Sequence, residues 1–256
     1  MLRRAIVRPP SESFADGLTT VDLGVPDFEK ALAQHERYCE ALVACGLSLT
    51  RLRPDPLYPD STFVEDTALM TGGAPILTRP GAPSREGEVV DMESVLREVF
   101  PVLRRIQPPG TVDGGDVCDA GRHWFIGLSA RTNDEGARQL AELLAEDGIT
   151  SSCVDIRGVA DILHLKSGIA HLSDRRLVVI DALAADPAFA GWEIVPVDPG
   201  EEYAANCVPV NERVLFPKGF PRLEERLRGL GYRPLVLDTS EFRKMDGGLS
   251  CLSLRF

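Results

Sequence analysis

Four times along this 256-residue chain an apolar stretch, a short polar turn and a second apolar stretch follow one another. Residues 66–70 and 74–78 flank Thr71-Gly72-Gly73, and residues 115–118 and 124–128 flank Ala120-Gly121-Arg122. Residues 167–172 and 177–180 flank a turn at 173–176, and residues 205–210 and 213–216 flank Asn211-Glu212. Turn formers set between apolar runs predict β-hairpins. Their recurrence about every 40 to 50 residues points to a repeat architecture. Helical periodicity lies between them. Residues 27–46 carry apolar positions at 28, 31, 32, 38, 42 and 43 and stop at Gly46. Further helices are predicted over 88–105, where Pro101 is a potential break, over 133–147 and over 221–230, with a short one near 183–189.

A fifth hairpin is missing unless the two ends of the chain supply it. Residues 249–256 alternate apolar and polar positions and can pair with residues 2–7. The ring then closes on itself as a propeller-like α/β barrel of five modules, whose central face gathers residues from every module. An ordinary mixed α/β sandwich is the competing arrangement.

Composition narrows the functional classes. The formal net charge of −11 argues against a nucleic-acid surface, which needs clustered Lys and Arg, and suits a cationic ligand. No apolar run approaches a membrane span, and the first residues lack the apolar core of a signal peptide, so a soluble, cytoplasmic protein is expected. The six cysteines include no C-x-x-C pair, so a zinc or dithiol site has no support and free thiols are expected.

The candidate chemistry sits at the entrances to the hairpins. Cys251 follows Gly247-Gly248 at the start of the final strand, where glycines bare a thiol; burial as a structural cysteine is the alternative. His164 enters the third hairpin. Of the other histidines, His35 is expected on the surface of the first helix, His123 in a turn and His171 at a strand end. A Cys and a His on different modules, both aimed at the axis, would form a nucleophile with its acid/base partner. Acidic residues cluster at 60–66 and 110–116, each before a hairpin. Carboxylates beside a central cavity match a guanidinium or ammonium ligand, whereas in a solvated loop they would be turn formers.

Six motifs occur in one order: Asp60-x-x-Phe63-Val64-Glu65-Asp66, Thr111-Val112-Asp113-Gly114-Gly115-Asp116, Ser129-Ala130-Arg131-Thr132-Asn133, Leu163-His164-Leu165-Lys166, Tyr203-Ala204-Ala205-Asn206-Cys207 and Gly247-Gly248-x-Ser250-Cys251-x-Ser253. Together, over essentially the whole chain, they resemble the dimethylarginine dimethylaminohydrolases of the guanidine-modifying pentein superfamily. The resemblance implies one catalytic domain over 1–256, folded as a five-bladed α/β propeller without metal or organic cofactor. It also implies hydrolysis of Nω-methylated arginine to citrulline through a covalent thiouronium on Cys251. His164 would be the acid and base, and Asp113, a shorter arm where some relatives carry Glu, would orient it. Asp66 would hold guanidinium N–H groups, with Glu65 supporting the polar network. Arg85 and Arg131 would bind the substrate carboxylate, and Asp60 with the carbonyls of Leu18 and Met245 the α-amino group. Residues 15–20 would form a mobile lid.

One position separates the methylarginine reading from its neighbours. Arginine deiminases carry an Asp two residues after the catalytic His, as a second guanidinium carboxylate; here the residue is Lys166. Deiminase, amidinotransferase and non-catalytic pentein readings remain as alternatives. The expected partner is a small cationic amino acid, with neither nucleic acid nor membrane, and relatives that pair through the propeller side leave room for a homodimer.

Overall fold

Five three-stranded sheets form among residues 1–173 and 175–256, the residues that the computed structural model describes. Asp174, in the predicted turn of the third hairpin, lies outside them. The first sheet holds β1 (Arg4–Val7) and β2 (Ser48–Arg51). The second holds β3 (Ala68–Leu69), β4 (Ile76–Leu77) and β5 (Arg104–Arg105), and the third β6 (Val117–Ala120), β7 (His123–Leu128) and β8 (Thr150–Asp155). The fourth holds β9 (Ile169–Ser173), β10 (Arg176–Val179) and β11 (Glu193–Pro196), and the fifth β12 (Val208–Val210), β13 (Arg213–Pro217) and β14 (Pro234–Leu237). β15 (Leu254–Arg255) returns to the first sheet, pairing antiparallel with β1 in the register Ala5 opposite Arg255. In every sheet the middle strand is antiparallel to the strand on one side and parallel to the one on the other. The five repeats make a five-bladed α/β propeller, and the closure between the first and last strands expected from the alternation is present.

Parallel neighbours need a crossover, and helices provide it. α1 (Phe28–Ala44) joins β1 to β2, α2 (Glu88–Arg97) joins β4 to β5, and α3 (Asp134–Glu146) joins β7 to β8. The short α4 (Asp181–Ala184) and α5 (Pro221–Gly229) serve the last two blades, and α6 (Ser240–Arg243) precedes the turn that carries Cys251. The Asp27 and Asn133 side chains cap α1 and α3 by accepting from the Lys30 and Gly136 N–H groups, each satisfying an otherwise unpaired donor. The helix predicted to reach residue 105 stops at Arg97, because Pro101 disfavours continuation and residues 104–105 are claimed by the sheet. His35 is buried, not on the surface, since it shares the inner face of α1 with Ala31, Tyr38 and Leu42.

The entrances to the blades differ from the predicted strands. Residues 64–67, 114–116, 165–167 and 202–205 are single 3₁₀ turns leading into β3, β6, β9 and β12. The first three of these touch in succession, and the fourth touches the third, so side chains at the turns converge. In the final segment only Leu254–Arg255 is strand; Cys251 lies on the turn before it.

Candidate active site

Leu18, Asp60, Phe63, Asp66, Arg85, Arg131, Leu163, His164, Met245, Asp246, Gly247 and Cys251 line one cleft where the blade entrances meet. Its free volume is about 20 Å³, room for little more than a water. Eight of the ten residues singled out from the sequence line this cleft; Asp113 acts from behind, through His164, and Glu65 lies outside it.

The His164 ring is pinned from both sides. Its Nε2 lies 3.0 Å from Asp113 Oδ2, so the shorter arm reaches. Asp113 is itself fixed by the Gly81 N–H, 2.8 Å from its other oxygen. Asp116 accepts from the Leu165 N–H at 3.0 Å and from Ser129 Oγ at 2.6 Å, which anchors the backbone beside His164. Gly115 lets the ring approach: a Cβ there would lie 2.6 Å from His164 Nδ1 and 2.9 Å from Asp66 Oδ1. Burial disfavours the imidazolium, but Asp66, Asp116 and Asp113 outweigh it and lift His164 to about 9. At neutral pH the ring is a charged acid with Nδ1 free of the Asp113 bond.

Asp66 accepts from the Gly115 N–H at 2.7 Å and from Arg85 at 2.7 Å. Burial opposes its charge, yet His164 and Arg85 hold it below the usual carboxylate range. Arg85 is buried and also clamped by Glu88, whose carboxylate takes Nε at 3.0 Å and Nη2 at 2.8 Å. Burial lifts Glu88 to about 7 against the pull of Arg85. Asp60 accepts the Leu18 N–H on both oxygens at 3.1 Å. Its pKa is raised by burial, opposed by Arg85 and Leu18.

Cys251 is partly buried on a turn whose N–H groups are held in place by neighbours. Asn206 takes the Ser250 N–H at 2.9 Å and donates to Ser250 Oγ at 2.9 Å and to the Lys166 carbonyl at 2.8 Å, tying the Cys251 turn to the strand entrance after His164. Burial pushes the thiol up to about 12, Glu65 and Asp66 add to this, and Lys166 opposes it. A resting Cys251 is therefore a neutral thiol at neutral pH.

Glu65 is the residue placed differently from expectation. It is not in the cleft wall but beneath it, where its Oε1 meets Lys166 Nζ at 2.7 Å and Arg255 Nη2 at 3.0 Å. All three line a separate axial cavity of about 380 Å³. Consecutive residues of one turn, Glu65 and Asp66, thus line different cavities. Lys166 is spent on Glu65, so no second carboxylate stands two residues after His164.

Several contributors carried no sequence signal of their own. Glu88 acts through Arg85 and Asp246 through Thr20, far away in sequence, and Asp116 and Asn206 were visible only as parts of motifs without a role. Asp66, Asp113 and His164 could each turn one ligand atom toward a metal, all within 4.8 Å, but these atoms' carboxylates and ring are already bonded to Arg85, Gly115, Gly81 and one another. Among the described residues all six cysteines are free, and no helix is long and apolar enough to cross a membrane.

A thiol, a charged imidazole backed by a carboxylate and a deep acidic wall at the axis of a five-bladed propeller define a guanidine-modifying pentein. No family model matches the chain. It is 47% identical over 257 residues to N(G),N(G)-dimethylarginine dimethylaminohydrolase of Pseudomonas aeruginosa, covering 100% of both chains. It is 35% identical over 256 residues to the Streptomyces coelicolor protein of the same name, covering 99% of this chain and 96% of that one. Among solved structures, the Pseudomonas aeruginosa enzyme as a cysteine-to-serine mutant complexed with citrulline matches with a TM-score of 0.96, at 46% identity over 100% of both chains. The chain belongs to the dimethylarginine dimethylaminohydrolase family.

Proposed function

We propose that this chain, as one catalytic domain, hydrolyses Nω-methylated L-arginine to L-citrulline and methylamine or dimethylamine. The observation that carries the reading is the conjunction of Cys251, His164 bonded to Asp113, and Asp66 around one cleft. The guanidinium lies against Asp66, and its positive charge lowers the Cys251 pKa, so the thiol gives up its proton to solvent and the thiolate forms where substrate is bound. Cys251 Sγ bonds to the guanidinium carbon. The C–N bond to the methylated nitrogen breaks as His164 delivers its proton to the departing amine, leaving a thiouronium on Cys251. His164, now neutral, takes a proton from water as the water oxygen bonds to the same carbon. The C–S bond then breaks as the hydroxyl proton of the adduct passes to the departing sulfur, releasing citrulline and the neutral Cys251 thiol, and His164 is again charged. Asp113 steadies the imidazolium and fixes which nitrogen faces the substrate.

Arg85 and Arg131 are proposed to hold the substrate carboxylate, a task that suits bidentate guanidinium donors. Asp60 and the carbonyls of Leu18 and Met245 take the α-amino group. Glu65 acts through Lys166 and Arg255 as a support under the cleft. Lys166 leaves an unsubstituted guanidinium one charged acceptor short, which favours methylated substrates over arginine. The same reading places the protein in the cytoplasm, acting on a small cationic amino acid without nucleic acid or membrane and with room for a homodimer.

The test is turnover of asymmetric dimethylarginine beside arginine, with Cys251→Ser as control. Citrulline from the methylated substrate and none from the variant supports the reading. Faster turnover of arginine would move the chain to the deiminase side.

A further inference from the structure

The cleft is too small for its substrate as it stands, and what keeps it shut is visible. Leu18 is in its wall, with its N–H held by the Asp60 carboxylate. A Cβ at Gly17 would stand 2.5 Å from Asp60 Oδ1 and 3.2 Å from the Met245 methyl, so this segment is fully seated. Its far end is fastened to the segment that leads to the nucleophile. Asp246 Oδ2 accepts the Thr20 N–H at 2.5 Å and Thr20 Oγ1 at 2.9 Å, and Thr19 Oγ1 donates to the Lys244 carbonyl at 3.0 Å. Asp246 holds a left-handed backbone conformation, φ 55°, which is uncommon outside glycine and tolerated best by Asp and Asn. That turn carries its carboxylate to the lid, and Met245, Asp246 and Gly247 all line the cleft.

We infer that the Asp246 carboxylate is the latch of the lid, a positioning residue that sets how long substrate is enclosed. Asp246 lies five residues before Cys251 and immediately before Gly247-Gly248, so the latch and the nucleophile ride on one segment. Closure over the α-amino end of the substrate and placement of the thiol are thereby linked. The inference rests on the proposed function only for its kinetic arm, because two of its readouts need no substrate.

The experiment compares wild type with Asp246→Asn, which keeps the left-handed preference, and Thr20→Val, which keeps the Asp246 charge. Three quantities are read: hydrogen exchange at the Thr20 amide, the rate at which iodoacetamide alkylates Cys251 in resting enzyme, and KM against kcat for asymmetric dimethylarginine. Loss of a charge-assisted bond predicts about tenfold faster Thr20 exchange and Cys251 alkylation in Asp246→Asn, and a smaller rise of the same sign in Thr20→Val. KM rises more than kcat falls. Because Thr20→Val leaves every charge near Cys251 in place, faster alkylation there reports opening and not a shifted thiol. Unchanged exchange and alkylation in both variants would overturn the latch, whatever the turnover. If Asp246→Asn fails to fold, Thr20→Val, changed at an exposed lid residue, decides alone. Absence of turnover in all three proteins together with faster exchange would keep the latch and overturn the substrate assignment.

Discussion

Replacing Gly115 by alanine adds one methyl group at the point where the catalytic geometry is tightest. The added carbon would lie 2.6 Å from His164 Nδ1, 2.8 Å from His164 Cγ and 2.9 Å from Asp66 Oδ1, where ordinary contact begins at 3.4 Å. None of these neighbours is a loose chain end. His164 is held by Asp113 and Asp66 by Arg85, so relief has to move the ring, the carboxylate or the turn. A retreat of roughly 1 Å misplaces the acid relative to the leaving nitrogen and costs on the order of a hundredfold in kcat. The overpacking itself costs about 1–3 kcal/mol, which a folded domain of this size tolerates. The φ of Gly115 is not in the left-handed region, so backbone strain does not confuse the outcome. The assay is citrulline formation from asymmetric dimethylarginine at saturating substrate, with a thermal melt to show that the variant is folded. A folded Gly115→Ala enzyme within threefold of wild-type kcat would refute the placement of His164 Nδ1 at the reaction centre.

Other outcomes follow from the same site. With Cys251 pushed up to about 12, alkylation of the resting enzyme rises close to tenfold per pH unit from pH 7 to 10; a plateau below pH 9 would contradict a neutral resting thiol. His164 is raised from 6.5 to about 9, so its contribution to stability is complete below pH 6.5 and disappears as pH climbs through 9. The melting-temperature advantage of wild type over His164→Gln should therefore shrink between pH 7 and 9.5, and an advantage independent of pH would count against that shift. Glu65→Gln leaves Lys166 and Arg255 without their carboxylate, so it should destabilise by about 3–5 kcal/mol while lowering the Cys251 pKa, read by denaturant melts and by the pH dependence of alkylation. Unchanged stability would show that the pair beneath the cleft is solvated.

Periodicity carried the architecture because each blade repeats the same burial problem. The hairpins and helices fell close to their observed ranges, and the alternation of the last residues was enough to predict that β15 closes on β1. It failed where no period exists. A single 3₁₀ turn has too few residues to show one, so residues 66, 115, 116 and 167 were read as strand although they are the turns that aim the site. Pro101 ended α2 in favour of a sheet pairing that local pattern cannot see. His35 was judged by its charged neighbours when its spacing from Ala31 and Tyr38 already put it on the buried face.

The site divided along the same line. Cys251, His164, Asp66, Asp60 and Arg131 were legible as parts of ordered motifs, because their types suit guanidine chemistry. Of the residues that hold those in place, Asp113 was legible and others were not: Asp246 latches a loop 226 positions away, Glu88 stood in no motif, and Asp116 stood in one without a role until the fold brings it to Leu165. Glu65 shows the limit most clearly. Its motif put it next to Asp66, but these adjacent positions on a tight turn line different cavities, and only the fold shows which faces the cleft.

The most direct test of the account is intact-protein mass spectrometry of enzyme quenched with acid during turnover of asymmetric dimethylarginine, followed by peptide mapping. A covalent adduct is expected on the peptide containing Cys251, formed with loss of dimethylamine and absent from Cys251→Ser. Citrulline formation with no adduct at any quench time, or an adduct on another cysteine, would contradict it.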